Sequence, residues 1–146
     1  LPMAVFAITG DHSGRKHISS KPDMFESSAV PLVLYGKDVL NGVSLPPGAA
    51  GSHIDIGPTL IELAAPSGFR YYSIGESLLK PRERFIGAGA GKAIGGDYIT
   101  DFTGFYKVPG HEIPGPPPDI EGLRKYHNSM LAVSWWRIMK GPRINQ

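Results

Sequence analysis

Two adjacent residues, Asp11 and His12, are of the side-chain types that bind divalent metal ions in proteins. They directly follow an apolar run, 3–9, and lie between Gly10 and Gly14, which indicates a turn. A carboxylate oxygen and an imidazole nitrogen suit a borderline or fairly hard divalent ion such as Zn²⁺ or Mn²⁺. The alternative is a plain turn, in which Asp11 accepts local backbone hydrogen bonds and His12 is solvated.

Two apolar runs, 3–9 and 30–35, predict the strands that would position this pair. Nearly continuous apolar runs are typical of parallel strands that are buried on both faces. The chain between them is long enough for a crossover connection, although only 23–27 has a helical pattern. Because ligand sites of open α/β sheets lie at the carboxyl ends of strands, Asp11 and His12 are in the expected place for such a site.

A helix is predicted over residues 52–66. Asp55 is the predicted N-cap, which places Pro58 in the first turn, and Pro66 ends the helix. Ser52 and Asp55 could instead form a capping box. That register would put Pro58 in the helix interior, where its ring clashes with an earlier carbonyl group.

The second half of the chain has a different pattern. Short β-prone pieces separated by glycines predict an antiparallel meander over 82–108. A Pro-rich linker, 109–118, follows, and Asp119 is expected to cap a helix of about 20 residues. Gly141 and Pro142 are expected to stop that helix.

This change of pattern near Pro81 divides the chain into three segments. They are an α/β core over 1–80, an antiparallel meander over 81–108, and a linker with a C-terminal helix over 109–146. The chain has 146 residues, of which 41% are hydrophobic, enough to build a core. It has no cysteine, which excludes disulfides and thiolate metal sites.

The charge is nearly balanced, with 15 Lys and Arg residues against 13 Asp and Glu residues. The basic residues are scattered, so no nucleic-acid partner is expected. No apolar stretch approaches the roughly 18 residues of a membrane span, so this segment is expected to make no membrane contact of its own. Because the chain lacks an initiator Met and enters a strand at once, we interpret it as a fragment of a larger protein.

Three segments, 8–14, 31–36 and 54–63, together carry a family resemblance. In order and spacing they resemble the C-terminal part of sulfatase-like enzymes of the alkaline phosphatase superfamily, in particular the phosphoglycerol transferases of the lipoteichoic-acid-synthase type. The resemblance covers residues 1–80, and its most specific element is a strand followed by Thr-Gly-Asp-His. In that family the Asp and His of this motif bind the catalytic divalent metal. The resemblance therefore implies a metal-ligand role for Asp11 and His12.

The resemblance also implies a fold and an activity for the full-length parent protein. The fold would be the C-terminal part of an alkaline-phosphatase-like α/β fold, with parallel strands and crossover helices before the small antiparallel sheet and the C-terminal helix. The parent would be a metal-dependent sulfuric ester hydrolase, or a phosphoglycerol or phosphoethanolamine transferase. Its metal could be Mn, Zn, Mg or Ca, and its location would be the periplasm or the extracytoplasmic face of the membrane.

The family places its nucleophile and an acidic metal ligand far upstream of this motif. The expected partners are therefore a phosphate-ester or sulfate-ester substrate and the remainder of the parent chain, and the segment alone is expected to be inactive. The alternative is a non-catalytic α/β binding or interaction module that retains the motif without the chemistry.

The other histidines have weaker signals. His17, five residues beyond His12, could reach the same cleft as a group that contacts substrate or supports a ligand, or it could lie in a polar surface loop. His53 could meet an anion near the predicted helix start, although solvation is the simpler reading. No role is assigned to His53, His111 or His127.

Two further motifs are interpreted structurally. The glycine-rich segment 87–92 does not match a phosphate-binding P-loop, because Ile86 and Ala93 stand where that motif needs Gly and Ser or Thr. A hairpin is the expected structure there. The pair Trp135 and Trp136 is expected to belong to the core or to an interface.

Overall fold

The structure is a computed structural model, and it describes residues 4–14, 19–46, 48–82, 85–109 and 117–141. The described residues form a mixed α/β arrangement with a two-stranded sheet, a four-stranded sheet and two α-helices. In chain order the elements are β1 (Phe6–Thr9), β2 (Leu32–Tyr35), a 3-10 turn (His53–Asp55), α1 (Ile56–Ala64), β3 (Ile86–Gly89), β4 (Lys92–Gly95), β5 (Tyr98–Thr100), β6 (Phe105–Lys107) and α2 (Ile120–Lys140).

The first two strands pair with each other, but not as predicted. Phe6 lies opposite Tyr35 and Thr9 opposite Leu32, so β1 and β2 are antiparallel. The prediction of two parallel inner strands with a crossover helix is wrong for this pair. In the connection the described residues show hydrogen bonds typical of one helical turn, from Ser27 N–H to the Asp23 carbonyl and from Ala29 N–H to the Phe25 carbonyl.

Burial of the two strands explains why their sequence was misleading. Phe6 and Ile8 of β1 and their cross-strand partners, Tyr35 and Val33, are each more than half exposed. A continuous apolar run predicts a strand buried on both faces, whereas here one apolar face lies open in the described structure. Hydrophobic pattern alone does not distinguish these two situations.

The second sheet agrees with the prediction. Strands β3, β4, β5 and β6 follow one another in space in their chain order, and each neighbouring pair is antiparallel. The hairpin predicted over 87–92 is confirmed, with Gly91 at a φ of 66° in the turn between β3 and β4. A φ in this left-handed region favours glycine, which accounts for the glycine at that position.

The C-terminal helix also begins and ends as predicted. The Asp119 carboxylate accepts hydrogen bonds from the backbone N–H groups of Glu121 and Gly122, which satisfies two free donors of the first turn. Gly141 ends the helix with a φ of 68° and donates its N–H to the Arg137 carbonyl. Residues 110–116 of the predicted linker, and Pro142 with the residues after it, lie outside the described ranges.

Helix α2 packs on the sheet through its first half. Leu123 is buried, and the His127 ring donates its Nε2–H to the Gly89 carbonyl of β3 at 2.8 Å. The second half projects apolar side chains outward, including Trp135 and Trp136, which are 65% and 55% exposed. The two tryptophans are therefore not core residues of the described structure. Within the described ranges, no helix is both long and apolar enough to cross a membrane.

The start of α1 is close to the prediction, but Asp55 has a different task. Asp55 is the N-cap residue of α1 as predicted, but its carboxylate accepts no hydrogen bond from the first turn of that helix. The alternative, a capping box of Ser52 and Asp55, is present at the 3-10 turn that precedes the helix. Asp55 Oδ2 accepts the Ser52 N–H at 2.7 Å and Oδ1 accepts the Glu76 N–H at 2.8 Å. Pro58 lies in the first turn as predicted, and the helix ends at Ala64, shortly before Pro66.

Three more hydrogen bonds, made by Thr59 and Ser52, extend these contacts into a polar network around Asp55. The Thr59 hydroxyl donates to the Asp55 carbonyl at 2.6 Å and accepts the Leu78 N–H at 3.0 Å. The Ser52 hydroxyl accepts the Ala88 N–H of β3 at 2.6 Å. Asp55 is 2% exposed and Thr59 is fully buried. This network, which we call the Asp55 network, joins the start of α1 to the segment 75–79 and to the second sheet.

Two glycines allow the backbones around the Asp55 network to approach closely. A Cβ atom at Gly75 would collide with the Ile54 carbonyl, and one at Gly87 would collide with the Gly51 carbonyl. Both collisions involve backbone atoms, which cannot swing aside as a flexible side chain can. The absence of a side chain at Gly75 and Gly87 is therefore a condition for this packing. The proposed division of the chain near Pro81 stays a prediction, although the two sheets share no strand in the described structure.

We predict that Asp55→Asn lowers the free energy of unfolding by about 2–3 kcal/mol, because an amide at this buried position presents only one acceptor oxygen to the two backbone N–H groups that the carboxylate now satisfies. Urea denaturation of the chain measures this. The matched control is Asp119→Asn, where the carboxylate also accepts two backbone N–H groups but is exposed. Asn caps helices about as well as Asp, so the control should change stability by less than about 0.5 kcal/mol. Equal losses of unfolding free energy in Asp55→Asn and Asp119→Asn would show that burial of the Asp55 carboxylate does not increase its contribution to stability.

Candidate metal site

The pair predicted to bind metal lies in a turn at the carboxyl end of β1. Thr9 is the last residue of β1, and Asp11 and His12 follow after Gly10. The side chains of both are largely exposed, at 89% for Asp11 and 76% for His12. The site is therefore open to solvent in the described structure.

Local hydrogen bonds determine how the His12 side chain is oriented. Its ring nitrogen Nδ1 lies 2.8 Å from the Ser13 carbonyl oxygen. Because a carbonyl can only accept, Nδ1 carries the proton and donates. In a neutral ring this leaves the Nε2 lone pair available as a ligand. Metal-binding histidines commonly use one ring nitrogen for the ion and donate the other to a carbonyl or carboxylate group.

The Asp11 carboxylate approaches the free nitrogen of this ring. Asp11 Oδ2 lies 3.6 Å from His12 Nε2, while Asp11 Oδ1 accepts the backbone N–H of His12 at 3.0 Å. Two ligand atoms of one tetrahedral zinc ion, each about 2.1 Å from it, lie about 3.4 Å apart. The two atoms are thus separated by a distance compatible with ligands of a single ion. The residues present fit two positions of a divalent metal site.

The same contacts shift the protonation equilibrium of His12. The hydrogen bond to the Ser13 carbonyl and, to a smaller extent, the negative charge of Asp11 raise the pKa of His12 above its ordinary value. Both interactions favour the charged ring, because the carbonyl holds the Nδ1 proton and the carboxylate attracts the positive charge.

The described residues would supply only part of the shell of a metal ion. No cluster of three or more His, Cys, Asp or Glu side chains that could hold an ion is found among them. His17, predicted as a possible supporting group, lies outside the described residues, as does His111. Asp11 and His12 are thus the two predicted ligand residues that lie together in this part of the chain. Further ligands would have to come from elsewhere.

His53 is the residue at this site that sequence reasoning missed. Its ring nitrogen Nε2 lies 2.7 Å from the Gly10 carbonyl oxygen, 43 residues away in the chain, and therefore donates to it. The fold thus brings the 3-10 turn before α1 to the turn that carries Asp11 and His12. The sequence offered no signal for this contact, because nothing local to His53 indicates a partner at Gly10. His127, to which no role was given, packs on the second sheet instead.

Comparisons with known proteins do not add to this geometry. The chain matches no known protein family, and no curated protein or solved structure is significantly similar to it.

We predict that Asp11→Asn lowers the pKa of His12, because the substitution removes the carboxylate charge and leaves the Ser13 carbonyl in place. An NMR titration that follows the His12 ring protons of the metal-free chain measures the shift. Ser13→Ala is the control. The carbonyl that accepts from His12 belongs to the backbone of residue 13, so this variant should titrate like the original chain. An unchanged His12 pKa in Asp11→Asn would show that the two side chains do not interact in solution.

Proposed function

We propose that this chain is the C-terminal part of a metal-dependent enzyme that acts on sulfate or phosphate esters, and that it contributes Asp11 and His12 as two ligands of the catalytic divalent ion. The parent would be a sulfatase-like hydrolase, or a phosphoglycerol or phosphoethanolamine transferase, of the alkaline phosphatase superfamily. Such a parent acts at the extracytoplasmic face of the membrane or in the periplasm.

One observation carries the proposal. At the end of β1, His12 presents an unprotonated Nε2 in the neutral ring, with an Asp11 oxygen 3.6 Å away, and the ring is held by a hydrogen bond to a backbone carbonyl. A plain turn needs only the local hydrogen bond that Asp11 accepts. It does not require a histidine oriented in this way next to the carboxylate. The resemblance of 8–14, 31–36 and 54–63 to the sulfatase-like family is the second support.

A divalent ion at such a site supplies Lewis-acid polarisation of a phosphoryl or sulfuryl oxygen and lowers the pKa of a bound hydroxyl nucleophile. The residues of this chain would hold the ion and fix the direction of its ligand atoms. Asp11 contributes negative charge, and His12 contributes a neutral nitrogen whose direction is set by the Ser13 carbonyl. The nucleophile and the acidic ligand belong to the remainder of the parent in this proposal.

The open face of the β1–β2 pair agrees with a larger fold. A two-stranded sheet is marginally stable on its own, and here Phe6, Ile8, Val33 and Tyr35 leave an apolar face without cover in the described structure. We include in the proposal that β1 and β2 belong to a larger alkaline-phosphatase-like sheet that the remaining parent chain completes. The alternative of a non-catalytic interaction module would use the same apolar face for a partner. Metal binding and turnover distinguish the two.

We predict that Asp11→Asn and His12→Ala each weaken Mn²⁺ and Zn²⁺ binding by the full-length parent, and lower its ester turnover in parallel. Loss of a ligand reduces affinity and rate together, while the metal-free fold is retained. Calorimetric titration together with a turnover assay measures both. Asp38→Asn, at an exposed position outside the turn, is the control and should behave like the original protein. Equal metal affinity in the Asp11→Asn variant and the original protein would end the assignment.

We also predict that the 146-residue chain alone does not turn over a generic phosphodiester or an aryl sulfate, because the proposed nucleophile lies outside it. A chromogenic assay with added Mn²⁺ or Zn²⁺ is sufficient. Turnover by the purified chain that a chelator removes would overturn this division of the active site between the chain and the rest of the parent.

A further inference from the structure

We infer that His53 is a positioning residue of the metal site: it holds the Gly10 carbonyl and thereby sets the direction in which Asp11 and His12 present their ligand atoms. This inference rests on the proposed function, since it concerns the same site. It assigns a role to a side chain that the metal-ligand motif does not include.

The hydrogen bond from His53 differs from the others in this turn. The side-chain hydrogen bonds described for Asp11 and His12 stay within the turn and reach only the next residue. The bond from His53 Nε2 to the Gly10 carbonyl joins the turn to a distant part of the chain at 2.7 Å. Among the side-chain hydrogen bonds named here, the bond from His53 is therefore the one that can fix the turn relative to the 3-10 turn before α1.

His53 binds an atom whose position affects the orientation of Asp11. The Gly10 carbonyl belongs to the peptide group that links Gly10 to Asp11, and a peptide group is planar. Fixing its oxygen fixes the orientation of the whole plane, including the N–H of Asp11. The starting direction of the Asp11 side chain, and then of His12, follows from that plane.

His53 can act in this way because its own backbone is anchored on both sides. Ser52 donates its N–H to the Asp55 carboxylate and accepts the Ala88 N–H with its hydroxyl, and Asp55 is buried. His53 lies between these two residues of the Asp55 network. An exposed ring on a rigid base can hold a flexible turn, whereas the same ring in a mobile loop could not. The buried network is in this way connected to the exposed ligands.

Two substitutions separate the hydrogen bond from the bulk of the ring. His53→Gln keeps an N–H donor near the position of Nε2, and His53→Leu keeps an apolar side chain of similar reach without a donor. We expect His53→Leu to weaken Mn²⁺ binding by the full-length parent about 10-fold to 100-fold, as loss of supporting groups does at other metal sites. His53→Gln should recover most of the affinity. Calorimetric Mn²⁺ titration measures both variants beside the original protein and Asp11→Asn.

A second measurement tests positioning without metal. In the metal-free parent, amide hydrogen exchange followed by mass spectrometry should be faster over 10–14 in His53→Leu and unchanged in His53→Gln. The unfolding temperatures of the two variants should lie close together, because the hydrogen bond is exposed. Weaker Mn²⁺ binding in His53→Leu with recovery in His53→Gln, and faster exchange over 10–14, would support the inference.

The contrary outcomes separate this inference from the proposed function. If the original protein binds Mn²⁺ through Asp11 and His53→Leu binds it equally well, positioning by His53 is overturned and the proposed function stands. Equal weakening in His53→Leu and His53→Gln also overturns the hydrogen-bond role. If the original protein binds no Mn²⁺ at all, the proposed function fails, and the inference fails with it.

Discussion

The buried carboxylate of Asp55 is the interaction on which the described fold depends. A buried charge is costly unless hydrogen bonds replace the water it has lost. Asp55 meets this requirement with the backbone N–H groups of Ser52, three residues before it, and Glu76, 21 residues after it. Both hydrogen bonds to the Asp55 carboxylate can form only when the start of α1 and the segment 75–79 fold together. Thr59 repeats the arrangement one helical turn later, through its contact with Leu78.

The proposed metal site is connected to this buried carboxylate by only a few contacts. The strands β1 and β2 form a two-stranded sheet whose apolar face is open in the described structure. Contacts with the rest of the described structure include the bond from His53 to Gly10 and a hydrogen bond of 2.6 Å from the Lys92 ammonium group to the Ser28 hydroxyl. Of these two contacts, the one from His53 reaches the turn that carries Asp11 and His12, and His53 lies between Ser52 and the buried Asp55. If His53 positions the turn as proposed, order at the site depends on order in the core.

The sequence predicted the elements whose signals are local. Helix α2 could be bounded because Asp119 and Gly141 act within one turn of the helix ends, and the second sheet because its glycines mark successive turns. The direction of β2 could not be predicted, since apolar runs carry no information on pairing. The capping box of Ser52 and Asp55 was one of the two alternatives that the sequence offered, and it is present. The bond between Asp55 and Glu76 and the bond between His53 and Gly10 were missed for one physical reason. The partner residues, Glu76 and Gly10, are distant in the chain and have no special residue type. For the candidate site, the sequence predicted the turn and the two adjacent residues of metal-binding type. It did not predict the hydrogen bond between His53 and Gly10.

The close backbone approach at Gly75 and Gly87 has a consequence for engineering a more stable form of this protein. Replacing glycine by alanine is a common stabilising strategy, because it restricts the unfolded chain. At these two positions it would instead force backbones apart around Asp55. Gly57 is the opposite case, since it lies in α1, is exposed, and has open space where a methyl group would go. Gly57→Ala would gain about 0.5–1 kcal/mol of helix stability. Stabilising designs should therefore begin at the exposed position 57 of α1 and leave Gly75 and Gly87 unchanged.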